Sequence, residues 1–354
     1  MTVEMAWIAA LCDDDHVQMG VVDPQLRSSW SHCGAIVQEA ERAGFDTVLL
    51  PSGYALGIDS LAFAAGIAAM THRIRLLLAV RCGEMWVPQL ARQLATLGEM
   101  APARLAVNII SSEMPGEALE SAARYRRTRE VMDALRVLLR GERLDVDGEF
   151  IQLHLDPPRI AVSASSSFPF YFGGLSGDAR EVAAAAADVY LMWPDTLSST
   201  AALIADMRSR VAAHGRLLQY GFRAHIIVRE TETQARAAAA HLMAALDEEE
   251  GVRIRSRSLD STSVGVRRQA ELRDAADLDG FVEDHLWTGI GRARSGCGAA
   301  IVGDPDQVIA TLLRYRALGI DSFILSGYPH RDEAQRVAEL VLPRLAHAPL
   351  VVGD

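Results

Sequence analysis

The stretch Ile74–Ile110, IRLLLAVRCGEMWVPQLARQLATLGEMAPARLAVNII, decides the fold of this chain. It begins and ends with short apolar runs, Ile74–Val80 and Arg104–Ile110, in which polar and apolar residues do not alternate. Pro88–Met100, between the two runs, has the pattern of a helix. Strands that are apolar on both faces are typical of a parallel sheet covered by helices. The stretch therefore predicts a strand–helix–strand unit of an α/β protein.

The same alternation of strand and helix runs through almost the whole chain. Six further apolar runs predict strands: Val3–Leu11, Asp46–Pro51, Phe168–Gly173, Asp188–Trp193, Tyr220–Arg229 and Ser322–Ser326. The segment GERLDVDGEFIQLHL alternates with period two around Asp147–Gly148, which predicts a hairpin. Eight strand–helix units in 354 residues fit a closed (β/α)8 TIM barrel better than an open doubly wound sheet. We expect one domain over residues 1–354, with a charged, irregular and mobile insertion at about 247–295.

Composition narrows the possible functions. The formal net charge is −11 and no basic run occurs, so nucleic acid is a poor candidate partner. No stretch of about 18 uncharged apolar residues predicts a membrane span, and the N-terminus lacks the pattern of a signal peptide. We therefore expect a cytoplasmic protein. The four cysteines, Cys12, Cys33, Cys82 and Cys297, have neither disulfide-framework nor metal-ligand spacing, so we expect no metal.

A barrel of this kind places its chemistry at the carboxyl ends of its strands. There the segment FGGLSGDAR, Phe172–Arg180, runs from a strand through a glycine turn into a helix. Gly173 and Gly174 would let backbone amides approach a ligand, and Ser176 would begin the helix, a combination suited to a phosphate. A tight turn with a serine N-cap explains the same residues equally well. The acidic run Asp13–His16 is interpreted as a solvated loop that gates substrate, rather than as a metal site.

A second group of polar residues lies within or after the seventh and eighth strands. Arg223 and His225 alternate on one strand, so their side chains face the same side. Arg294 lies in a glycine-rich loop, while Tyr328 and His330 follow the end of the last strand. Two guanidiniums with two imidazoles suit a tetrahedral oxyanion, and a tyrosine can donate a hydrogen bond or a proton. Each residue taken alone is more readily a surface group, so only their convergence would make a site.

Together with AGFDTVLLPSG, YFGGLS, FRAHIIVRET and LGIDSFILSGYPHRDEA, these motifs resemble the reduced-flavin-dependent alkanesulfonate monooxygenases of the bacterial luciferase-like superfamily. The resemblance runs from about Met5 to Leu345. It implies a (β/α)8 barrel, reduced FMN (FMNH2) delivered by a separate NAD(P)H-dependent flavin reductase, and O2 as the oxidant. The implied reaction cleaves the carbon–sulfur bond of a small anionic organic substrate to an aldehyde and sulfite. The resemblance also implies a homodimer or a homotetramer.

The resemblance further implies roles for eleven residues. The sulfonate pocket of the family corresponds to five of them, with Tyr328 as the acid and Arg294 as the arginine of a closing loop: Arg223, His225, Arg294, Tyr328 and His330. Six residues correspond to the flavin site, with Ser176 at the phosphate: Asn108, Tyr125, Gly173, Gly174, Ser176 and Trp193.

The loops at 52–60 and 81–88 depart from the family pattern, so the sequence leaves the exact substrate open. Three functions remain. The first is desulfonation of an alkanesulfonate or a close relative. The second is the same flavin chemistry on a sulfone, an amine or a carboxylate, inserting oxygen without releasing sulfite. The third is a non-catalytic protein of the same fold that binds flavin.

Overall fold

The computed structural model describes residues 2–54, 57–114, 116–160, 168–256 and 263–352. Its strands, in chain order, are β1 (Glu4–Ile8), β2 (Thr47–Leu50), β3 (Arg75–Arg81), β4 (Leu105–Ile110), β5 (Leu144–Asp147), β6 (Gln152–Leu155), β7 (Phe170–Gly173), β8 (Val189–Met192), β9 (Gln219–Val228), β10 (Phe281–Glu283), β11 (Leu286–Trp287), β12 (Ala300–Gly303) and β13 (Ser322–Ser326). Among these, eight parallel strands close a barrel in the order β1, β2, β3, β4, β7, β8, β9 and β13. The predicted (β/α)8 barrel is confirmed.

The helices surround this barrel, and an apolar core fills the space between them and the strands. They are α1 (Trp30–Ala43), α2 (Ser60–Ala68), α3 (Val87–Met100), α4 (Ser121–Leu139), α5 (Gly177–Ala186), α6 (Leu197–Ala213), α7 (Glu232–Leu242), α8 (Glu248–Arg255), α9 (Val264–Asp274), α10 (Pro305–Leu318) and α11 (His330–Leu340). Local signals fix their ends, as at α1, where the Ser29 side chain accepts the His32 amide and Gly44 closes the helix at φ 93°. Within the described ranges, every helix is too short or too polar to cross a membrane.

The strand β9 has ten residues and changes its neighbour halfway along. Its first half pairs with β8 as far as Phe222, and its second half pairs with β12 from His225 onward. Arg223 therefore lies where β9 leaves one partner and reaches the next. The sequence did not predict β10, β11 or β12, because each is only two to four residues long.

The insertion is more regular than the sequence predicted. Its charged residues do not show a clear period, yet they form α8 and α9. Arg268 of α9 makes a bidentate ion pair with Asp195 after β8, with distances of 2.6 and 2.8 Å from Nε and Nη2 to the carboxylate oxygens. The sequence pattern did not predict these two helices. Residues 257–262 lie outside the described residues, and the predicted mobility of the segment stays a prediction.

A buried carboxylate joins the strands at the amino end of the barrel. Glu4 is fully buried at the start of β1. Its Oε1 accepts hydrogen bonds from the Thr47 hydroxyl, the Arg75 guanidinium and the Leu350 backbone amide. Its Oε2 accepts hydrogen bonds from the hydroxyls of Tyr171 and Ser322. Four of these partners stand in β2, β3, β7 and β13, so one side chain ties five strands together.

We expect Glu4→Gln to lower the free energy of unfolding by about 3 kcal/mol, measured by chemical denaturation. An amide nitrogen would replace one of the two acceptor oxygens and face groups that themselves donate. The exposed Glu339→Gln on α11 is the matched control, and it should change stability by less than about 0.5 kcal/mol. Equal unfolding midpoints for the two variants would contradict this account.

Candidate active site

A cavity of about 780 Å³ opens at the carboxyl ends of the barrel strands. This volume is typical of sites that bind a cofactor or a small substrate. All eleven residues singled out in the sequence line it: Asn108, Tyr125, Gly173, Gly174, Ser176, Trp193, Arg223, His225, Arg294, Tyr328 and His330. The convergence that the sequence could not establish is therefore present, while the individual roles stay predictions.

Arg223 places a buried positive charge in this cavity. Its Nη2 donates to Ser326 Oγ at 2.8 Å, and its Nη1 donates to the Ala224 carbonyl. The side chain is 8% exposed, and no carboxylate pairs with it in the part of the chain that the structure describes. A buried cation without a counter-charge is costly, and an anionic ligand offsets that cost. Arg223 therefore marks an anion site.

His225 has both ring nitrogens engaged by the protein. Nε2 lies 3.2 Å from the Cys297 carbonyl, and Nδ1 lies 2.8 Å from Ser326 Oγ. Burial, followed by the charges of Arg223 and Arg294, holds the pKa of His225 well below its usual value, so the ring is neutral. A carbonyl can only accept, so Nε2 carries the proton and Ser326 donates to Nδ1. This bonding suits a residue that positions Arg223 through Ser326.

His330 is held differently. Its Nδ1 lies 2.8 Å from Asp15 Oδ1, its backbone amide donates to Asp15 Oδ2 at 2.9 Å, and His32 Nε2 lies 3.1 Å from the same oxygen. Burial alone would raise the pKa of Asp15, but His330 and His32 hold it far below the usual range, so the carboxylate is ionised. The ionised Asp15 carboxylate can only accept, so it fixes a proton on His330 Nδ1 and leaves His330 Nε2 for the cavity.

The acidic loop before His16 differs from the interpretation drawn from the sequence. Asp15 is fully buried and His16 is 8% exposed, so the loop is not simply solvated. Asp13 forms an ion pair with Arg294, which joins the loop after β1 to the glycine-rich loop of the insertion. Its carboxylates thus orient site residues, and among the described residues no group of three metal-ligating side chains forms.

Tyr328 lies between the two histidines. Its ring stacks on His225 at a centroid distance of 5.3 Å and meets His330 edge-on at 4.9 Å. Burial raises the pKa of Tyr328 to about 12, although the charge of Arg294 opposes the rise. The phenol therefore stays protonated and can donate a hydrogen bond to an oxyanion.

The glycine turn after β7 also lines the cavity. A Cβ at Gly173 would stand 2.3 Å from the Leu191 carbonyl oxygen, and one at Gly174, where φ is 145°, would stand 2.6 Å from Ala179 Cβ. Only glycine fits at either position, because neighbouring protein atoms occupy the space that a side chain would need. Ser176 is the N-cap of α5 and accepts the Ala179 amide at 3.1 Å. The N-cap reading is thus confirmed, and Ser176 also faces the cavity.

Sequence reasoning missed four side chains that the structure places in or beside the site: Asp15, Arg81, Ser111 and Ser326. Asp15 was grouped with its acidic neighbours and taken as solvated. Ser326 ends a strand that is buried throughout, and it was given no role. Arg81 was named only as the first residue of a segment that departs from the family pattern. Polar residues that close apolar strands were the available signal for all but Asp15.

A cavity lined by a buried arginine and a glycine turn opens at the carboxyl mouth of this (β/α)8 barrel, where enzymes of this fold place their active sites. The family model described as "Luciferase-like monooxygenase" matches residues 11–322. The chain therefore belongs to the luciferase-like monooxygenase family, whose members are flavin-dependent monooxygenases.

Two relatives are similar in sequence to this chain over 89% or more of their own length. The sulfoquinovose monooxygenase of Novosphingobium aromaticivorans is 58% identical, with 98% of each chain covered. The sulfoquinovose monooxygenase of Agrobacterium fabrum is 49% identical over 97% of this chain and 89% of that protein. Among solved structures, the EDTA monooxygenase from Chelativorans sp. BNC1 superposes with a TM-score of 0.78 at 16% identity, covering 97% of this chain and 93% of that one. That structure shows the shared fold.

Proposed function

We propose that this chain uses reduced FMN and O2 to release sulfite from sulfoquinovose, a glucose derivative whose C6 carries a sulfonate. The buried charge of Arg223, which has no carboxylate partner among the described residues, carries the proposal because it calls for an anion. The two sulfoquinovose monooxygenases at 58% and 49% identity support a sugar sulfonate. The alkanesulfonate predicted from the sequence is thereby replaced by a sugar sulfonate, and the expected carbon–sulfur cleavage is kept.

The residues at the glycine end fit a flavin mononucleotide. Gly173 and Gly174 leave no room for a side chain, and the amino end of α5 directs backbone amides toward the turn. Ser176 and Tyr125 would hold the phosphate, while Asn108 and Trp193 would line the flavin ring. When bound, reduced FMN supplies two electrons that activate O2 for oxygen transfer.

The protein side chains would do the remaining work on the substrate. Arg223 and Arg294 would bind the sulfonate, and Tyr328 would donate a hydrogen bond to one of its oxygens. His330 Nε2, set by Asp15, would take up the proton lost from the carbon next to sulfur. One oxygen atom of O2 ends on that carbon as an aldehyde and the other ends as water. Sulfite leaves with the electron pair of the carbon–sulfur bond.

Incubation with a flavin reductase, NADH, FMN and sulfoquinovose under air tests the proposal. We expect one sulfite per substrate consumed, and no sulfite when the reductase or O2 is omitted. Methanesulfonate and octanesulfonate serve as comparison substrates. Sulfite from the alkyl sulfonates alone would favour the sequence-based alternative, and an oxygenated product without sulfite would favour oxygen insertion into another substrate. If the protein binds flavin but turns over none of these substrates, the remaining alternative is a non-catalytic flavin-binding protein.

A further inference from the structure

Arg81 Nη1 and Ser111 Oγ are among the buried side-chain atoms of the cavity that lack a hydrogen-bond partner in the described residues. Arg81 ends β3, its side chain is 5% exposed, and its Nη1 makes no hydrogen bond in those parts of the chain. The hydroxyl of Ser111, just after β4, is likewise buried and unpaired among them. Both residues line the cavity. Buried donors that lack a partner are rare, because each loses its bonds to water without replacement.

These two atoms belong to one wall. Arg81 pairs in register with Ile110 of β4, so Arg81 and Ser111 come from adjacent strand ends. Around the barrel, β3 is separated from β9 by β4, β7 and β8, which places it across the mouth from Arg223. A ligand whose anion contacts Arg223 would thus present its other end to Arg81 and Ser111.

The charge of this wall argues against a second anion. Arg81 Nε lies 3.0 Å from a carboxylate oxygen of Glu84, which offsets the guanidinium charge. Glu113 and Arg124 also line the cavity, and their ion pair at 3.4 Å adds no net positive charge to it. What remains is a guanidinium N–H donor beside a hydroxyl that can both donate and accept. Such a pair suits neutral oxygen atoms, as in a polyol.

We propose that Arg81 and Ser111 bind the ring hydroxyl groups of a sugar sulfonate and select it over an unsubstituted sulfonate of equal charge. The inference rests on the proposed function, since it takes the sulfonate to occupy the Arg223 side. It places part of the selectivity at Arg81, the first residue of the segment 81–88, where the sequence departs from the pattern of the alkanesulfonate enzymes.

The test compares Arg81→Met and Ser111→Ala with the wild type. KM and kcat are measured for sulfoquinovose, the inhibition constant is measured for cyclohexylmethanesulfonate, which has a six-membered ring without hydroxyls, and Kd is measured for FMN. We expect Arg81→Met to raise the KM for sulfoquinovose about 10-fold or more and Ser111→Ala about 3-fold or more, with kcat within about 3-fold. The inhibition constant and the FMN Kd should each stay within about 3-fold of the wild-type values.

Three results would overturn the inference: an unchanged KM in both variants, an equal loss for the two sulfonates, or a parallel loss of FMN affinity. If Arg81→Met fails to fold, Ser111→Ala decides, because it removes one hydroxyl from a loop. Failure of the wild type to release sulfite from sulfoquinovose would instead refute the proposed function. The two failures are therefore distinguishable.

Discussion

Replacing Arg223 with methionine is expected to lower kcat/KM for the sulfonate about 10³-fold without lowering the unfolding temperature. The side chain supplies donors to an anion whose charge grows as sulfite leaves, and loss of one such donor costs about 10² to 10³ in rate. Folding, by contrast, has to bury this cation with the Ala224 carbonyl and the Ser326 hydroxyl as its hydrogen-bond partners among the described residues. An apolar side chain of similar length removes that cost. Steady-state kinetics and thermal unfolding measure the two effects.

Arg229→Met is the matched control, since Arg229 follows the end of the same strand. Its guanidinium makes a bidentate pair with Glu333 at 2.9 and 2.7 Å, and Glu333 is 2% exposed. Loss of this partner leaves the buried Glu333 carboxylate with the longer contact to Arg336, at 3.4 Å, so we expect a destabilisation of about 3 kcal/mol with little change in sulfonate affinity. If Arg223→Met unfolded at a lower temperature than the wild type and kept the wild-type turnover, Arg223 would be the arginine that stabilises the fold. Our assignment of the two arginines would then be wrong.

The fold was more predictable than the site, for a physical reason. Strand and helix patterns depend on neighbours a few positions apart, so the eight barrel strands could be read from local runs such as Ile74–Val80. The sequence did not predict the helices of the insertion because their faces are charged. The helix α9 is held by the ion pair between Arg268 and Asp195, two residues that lie 73 positions apart in the chain. Tertiary contacts, rather than a clear apolar period, hold that helix in place.

The same reason explains which site residues were found. Arg223, His225 and Tyr328 lie in long motifs that resemble a known family, so their presence was predictable. Their hydrogen bonds were not, because Asp15 and His330 are 315 positions apart and Ser326 meets His225 across 101. A list of polar residues cannot tell which imidazole nitrogen is already bonded. The structure separates two histidines that look equivalent in the sequence.

Asp15→Asn is expected to lower kcat about 10²- to 10⁴-fold, with FMN binding retained. The carboxylate accepts both the Nδ1 proton and the backbone amide of His330. An amide offers one acceptor and one donor, so the proton on His330 would move to Nε2 and the nitrogen facing the cavity would no longer act as a base. A comparable loss follows when a catalytic histidine is held in the wrong tautomer.

Two further measurements separate this effect from simple unfolding. Because folding lowers the pKa of Asp15, its ionised form stabilises the protein above the unfolded pKa of about 3.9, and this contribution is lost as the pH falls toward the lower folded value. The stability difference between the wild type and Asp15→Asn should thus shrink as the pH falls below about 4. Asp23→Asn, which keeps a capping side chain at a half-buried site, is the control. If Asp15→Asn retained the wild-type kcat and pH–rate profile, His330 could not be the proton acceptor, and the base would have to be sought elsewhere in the cavity.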